Sequence, residues 1–179
     1  MISADFHFLV YGMAFVYGLM FGSFFNVCIY RIPKGLSLVS PRSSCPKCGF
    51  MIPWFLNVPV LSYVFLRGKC AGCRNPISRV YPVVELLTGL LAFGVFWHFR
   101  SLHLMDWMIR SAIDFVFLAS LLISSFIDLR YLIIPDRFTI GGTFFGILAS
   151  TAYPALHGFE KWQEGLIYSS MSLSFATPF

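Results

Sequence analysis

Four long apolar runs decide what this chain can fold into. Residues 6–30, 81–99, 111–127 and 138 to about 156 carry at most one charged residue each. Each comes close to the roughly 20 residues that a helix needs to cross a hydrocarbon core about 30 Å thick. Hydrophobic residues make up 58% of the 179-residue chain and charged residues 12%, more apolar side chain than a soluble domain of this size can bury. The sequence therefore predicts an all-α polytopic membrane protein with about four transmembrane helices. The first run has no Lys or Arg before it, follows Asp5, and is longer than the apolar core of a cleavable signal, which is roughly 7–15 residues. It is expected to remain as a span.

Orientation follows from the basic residues of the loops. Residues 31–80 hold eight Lys or Arg and no Asp or Glu, whereas the segment after Phe99 carries Arg100 and Arg110 and the loop after the third run carries Arg130 and Arg137. That asymmetry puts 31–80 in the cytoplasm and the N-terminus outside, and returns the segment from Asp128 to Arg137 to the cytoplasmic side. The net charge of +5 reads as topology and as attraction to anionic membrane lipid. No interleaving of aromatic and basic residues points to nucleic acid.

Within the basic loop lie two C-x2-C pairs, Cys45 and Cys48 in "CPKCG" and Cys70 and Cys73 in "CAGC", 21 residues apart. This is close to the spacing of a four-cysteine zinc site, in which two tight turns each offer two thiolates to one tetrahedral ion. Two disulfides are the competing reading and would require an oxidising compartment, whereas the charge asymmetry puts the loop in a reducing one. Four thiolates leave no open coordination position, so the zinc is expected to be structural. Cys28, inside the first run, is read as a small packing residue. The apolar segment between the pairs, "FMIPWFLNVPVLSYVFL", must leave and return on one face if both pairs hold one metal, and Pro53 and Pro59 interrupt any straight helix there. Two readings stay open for it: an interfacial or re-entrant hairpin against the membrane, or the hydrophobic core of the small zinc module.

The third run ends in "FIDLRYLIIPDRF". An acid at a helix boundary is usually only the first solvated residue, but here the neighbours of Asp128 remain apolar, and ionisable groups placed below the membrane interface are costly and tend to be functional. Pro135 then turns the chain near a second acid, Asp136. Asp114 is fourteen residues from Asp128, roughly 21 Å along one helix, too far to share a site. Glu85, near the start of the second run, can pair with a base, cap the helix or bind a ligand.

The segments "GSFFNVCIYRIPKG", "SPRSSCPKCG", "IPWFLNVPVLSYVFLRGKCAGCRNPISRVYPVVELLTGLL" and "IDLRYLIIPDRFT" together resemble the bacterial type IV prepilin peptidases, also called leader peptidase/N-methyltransferases. The resemblance runs from about Gly22 to Thr139. It implies an inner-membrane aspartic endopeptidase that removes the leader from type IV prepilins and type II secretion pseudopilins at the cytoplasmic face, and that methylates the new N-terminus with S-adenosylmethionine. It also implies that Asp128 is the first catalytic aspartate and that Asp136, at the accompanying "PD" position, supports it. No residue for S-adenosylmethionine is identified. Two carboxylates sharing one proton are what aspartic proteolysis needs, one ionised to activate water and one protonated to polarise the carbonyl. The family's second aspartate lies in a later G-x-G-D motif, and no Asp follows Asp136 here, only Glu160 and Glu164 among the acids. The expectation is a chain truncated or frameshifted near its end.

The expected organisation is a first transmembrane helix over 1–30, a cytoplasmic zinc-binding module over 31–80, helices two to four of an incomplete aspartic peptidase domain over 81–157, and a C-terminal tail over 158–179. Alternatives from other classes are a non-catalytic zinc-module protein that binds prepilin or a partner, and a membrane-anchored rubredoxin-like electron carrier.

Overall fold

The computed structural model describes residues 4–153. They form five α-helices: α1 (Ala4–Arg31), α2 (Leu61–Phe65), α3 (Val80–His98), α4 (Leu104–Tyr131) and α5 (Asp136–Ala152). Short 3-10 turns lie at Ile32–Lys34 and Trp54–Asn57. Among the described residues there is no strand, only two isolated antiparallel bridges, Ser44 with Met51 and Lys69 with Pro76. Two compact units are present, Met1–Ile133 and Ile134–Phe179, so α1 to α4 belong to the first and α5 to the second.

Three of the helices, α1, α3 and α4, are long and apolar enough to cross a membrane. The expected fourth span corresponds to α5, a helix of 17 residues, and the last residues of that expected run lie outside the described ones, as does the expected tail. The boundaries obey local chemistry. α1 has Asp5 in its first turn and Arg31 in its last, each sign matching the helix dipole. Pro82 sits in the first turn of α3, where its missing N–H costs nothing. α4 begins seven residues before the expected Ser111, after His103 in an extended conformation and with Asp106 in the first turn. Arg110, expected in a loop, is thus helical, and Asp114 stands well inside α4, lining an open cleft with His98 and Leu118.

α1 and α3 run antiparallel at close range. A methyl group on Gly18 would meet the Thr88 carbonyl oxygen at 2.7 Å and Ala92 Cβ at 2.8 Å, and one on Gly22 would meet Glu85 Cα at 2.6 Å. Four residues further along the same face, the Asn26 side chain donates to the Tyr81 carbonyl at 3.0 Å. Lipid offers helices no hydrophobic reason to associate, so small residues that let backbones touch and interhelical hydrogen bonds hold this pair. Thr88, fully buried in the seam, returns its hydroxyl to the Val84 carbonyl at 2.7 Å. At the far end of the pair, Trp107 of α4 is fully buried against Val10 and Tyr11. Its indole N–H donates to the Phe96 carbonyl at 2.7 Å.

Candidate metal centre and carboxylates

The two cysteine pairs fold into the same knuckle. In the first, the N–H of Cys45 donates to Phe50 and that of Gly49 to Cys45. In the second, Cys70 donates to Asn75 and Arg74 to Cys70. Each turn needs one left-handed residue, supplied by Gly49 at φ 71 and by Arg74 at φ 60. Gly49 is therefore a turn glycine, and Gly72 is not. A side chain on Gly72 would press on Phe50 at 3.0 Å, so its role is close approach between the knuckles.

The four Sγ atoms all lie within 4.8 Å of one another, with Cys45 to Cys73 at 3.9 Å and Cys48 to Cys70 at 4.0 Å. A tetrahedral ion with sulfur arms of about 2.3 Å has edges of about 3.8 Å, so the thiols already stand at metal-ligand spacing. All five cysteines are free thiols. The Cys73 thiol is held down to about 6 by the backbone N–H and the side-chain amide of Asn75. Cys45 is lowered by the N–H groups of Cys48 and Lys47. For Cys48 the N–H of Phe50 favours the thiolate, but desolvation and the surrounding thiols of Cys73, Cys45 and Cys70 outweigh it and push the group up to about 11. Four thiols this close ionise together only around a cation, so metal uptake must release protons. The donor set fits a soft, tetrahedral, closed site, and the cluster can hold a zinc ion.

Between the knuckles the chain leaves and returns on one side, as a shared metal requires. The side chains of this connection do not form a core for the module: Trp54, Phe55, Leu61, Val64 and Phe65 are all exposed. The core reading is thereby corrected, because two four-residue knuckles closed on a metal leave no interior for five large apolar side chains.

The module is tied to the helices at two points. Arg31 at the end of α1 donates to the carbonyls of Ser37 and Pro41, both at 2.7 Å. Glu85, only 8% exposed, accepts the backbone N–H of Val60 at 2.7 Å, with the Ser23 side chain beside it. Val60 has φ 60 and ψ −49, and the N–H of Leu61 closes back on Pro59 at 2.5 Å. This is a γ-turn of the rare sense on a β-branched residue, a conformation costing about 1–3 kcal/mol that persists only where its surroundings impose it. Of the three roles open to Glu85 in the sequence, none is the one observed. No local pattern marks Val60 as a γ-turn, so this contact was not legible.

Asp128 lies on the last turn of α4 and is exposed. α4 stops at Leu132, which turns left-handed at φ 55 and donates its N–H to the Asp128 carbonyl at 2.8 Å. The helix thus ends three residues before Pro135, not at it. In the second unit, Pro135 precedes α5 in an extended conformation and Asp136 is the first residue of that helix, also exposed. The end of α4 lies at the cysteine-module end of the first unit, since Arg130 is near Tyr30 and Tyr81.

Residues 16–99 match the bacterial peptidase A24 N-terminal domain, and residues 115–176 match the type IV leader peptidase family. Three relatives, each named prepilin leader peptidase/N-methyltransferase, illustrate the likeness. One from Myxococcus xanthus is 41% identical over 90% of this chain and 45% of its own length. One from Aeromonas hydrophila is 34% identical over 78% of this chain and 56% of its own. A third, from Bacillus subtilis, is 34% identical over 90% and 61%. The chain spans about half the length of the curated relatives it matches. No solved structure matches. With both matched segments in order along one sequence and relatives at 34–41% identity, the chain belongs to the type IV leader peptidase family.

Proposed function

We propose that the chain contributes the zinc module and the first catalytic carboxylate of a membrane aspartic endopeptidase. The enzyme cuts the leader from type IV prepilins and pseudopilins at the cytoplasmic face of the bacterial inner membrane. It then methylates the exposed N-terminus with S-adenosylmethionine. The observation that carries this reading is that every relative named above bears both activities in its name while sharing 34–41% of aligned residues with this chain.

In this reading Asp128 is the catalytic residue and Asp136 supports it. Zinc on Cys45, Cys48, Cys70 and Cys73 is structural, because four sulfurs fill its coordination. A pair of carboxylates must share one proton for the chemistry to run, and no Asp follows Asp136 in these 179 residues. A second reading is that the 179 residues bind prepilin without cutting it.

One assay separates the two. Prepilin is incubated with the 179-residue chain or with a version extended through a G-x-G-D helix, using labelled S-adenosylmethionine. Cleavage and label transfer are expected only from the extended version, with cleavage lost on Asp128→Asn. Cleavage that survives Asp128→Asn would show that the residue assignment is wrong.

A further inference from the structure

The connection between the knuckles leaves a broad apolar surface uncovered. Its largest apolar side chains face outward, Trp54 at 78% exposure, Leu61 at 68%, Val64 at 66% and Phe65 at 82%. Such a patch marks a surface meant to be covered. The depth of the covering phase is set by α3. That helix has 19 residues, about 28 Å, so it just spans a hydrocarbon core and Val80 marks the membrane edge. Glu85 lies five residues further in, roughly 7 Å along the axis. Because Val60 donates its N–H directly to Glu85 at 2.7 Å, the tip of the connection lies level with the second turn of a membrane helix.

We propose that the turn 54–65 is a membrane-interface wedge, seated in the headgroup and acyl boundary of an anionic bilayer beside the start of α3. Irregular backbone at that depth has no water to bond, and is tolerated only when protein supplies the partner. Glu85 supplies it for Val60, the residue whose strained turn points the N–H inward. Charge agrees with lipid as the occupant. Arg67, Lys69, Arg74 and Arg79 follow the wedge and are exposed, and 31–80 contains no acid to oppose an anionic surface. Apolar insertion combined with nearby basic residues is how interfacial segments hold to anionic membranes. This is independent of the peptidase reading.

The test places p-benzoylphenylalanine at Phe65 or, separately, at Lys47 of the full chain in vesicles of phosphatidylethanolamine and phosphatidylglycerol, followed by irradiation and mass spectrometry. Phospholipid adducts are expected at 65 in at least fivefold excess over 47. Arg67→Glu with Arg74→Glu should reduce the adduct severalfold in these vesicles but not in phosphatidylcholine alone. Equal yields at the two positions, no lipid adduct at 65, or capture of a second copy of the chain by the probe at 65 would each overturn the proposal.

Discussion

The two ends of the α1, α3 and α4 trio are built on opposite principles. At one end aromatic rings close on each other: Tyr11 stands 5.2 Å from Trp97 and 5.7 Å from Phe93 between ring centroids, and Trp107 seals them with no exposed surface. At the other, α1 and α3 meet backbone to backbone at Gly22, with polar contacts from Asn26 to Tyr81 and from Val60 to Glu85, and the acid at the tip of α4 stays exposed. The aromatic end tolerates no displacement because ring packing is short-ranged and dense.

Three substitutions break or sharpen that contrast. The largest effect is expected from Cys45→Ser. A module this small draws its folding from the metal, so purified protein should lose its bound zinc, and residues 31–80 should become protease-sensitive while near-ultraviolet signals from the aromatic end persist. Next, Trp107→Ala removes a fully buried indole and its hydrogen bond and should lower stability by about 3–5 kcal/mol. Thermal denaturation in detergent should register the loss with zinc content unchanged. Smaller again, Gly22→Leu forces a side chain into the Glu85 backbone and should cost about 1–3 kcal/mol. Because it separates α1 from α3 at the cysteine end, hydrogen exchange should rise around Val60 before it rises around Trp107.

Much of this was legible in the sequence because composition and spacing carry it. Apolar runs found α1, α3 and most of α4, and the doubled C-x2-C found the knuckles. The start of α4 was misjudged because Asp106 and Arg110 look like loop residues, whereas burial of Trp107 against Tyr11 is what extends the helix back to Leu104. The seam of Gly18, Gly22 and Asn26 went unnoticed because three residues four apart mean little until the opposite helix is known. The acids of "FIDLRYLIIPD" stood out by their apolar surroundings, but one residue cannot announce its partner. Glu85 was visible as an acid, yet its target is a backbone N–H, which no side-chain pattern encodes.

Unequal helix lengths give the membrane itself a lever on Asp128. α1 and α4 have 28 residues each and α3 has 19, so the first two measure about 42 Å and the third about 28 Å. A hydrocarbon slab of roughly 30 Å fits the short helix, and its longer neighbours must lean or protrude. The metal module is held by both kinds, through Arg31 at the end of the long α1 and through Glu85 on the short α3. Asp128 is carried near the tip of the long α4, so a bilayer of different thickness should change how wet its carboxylate is.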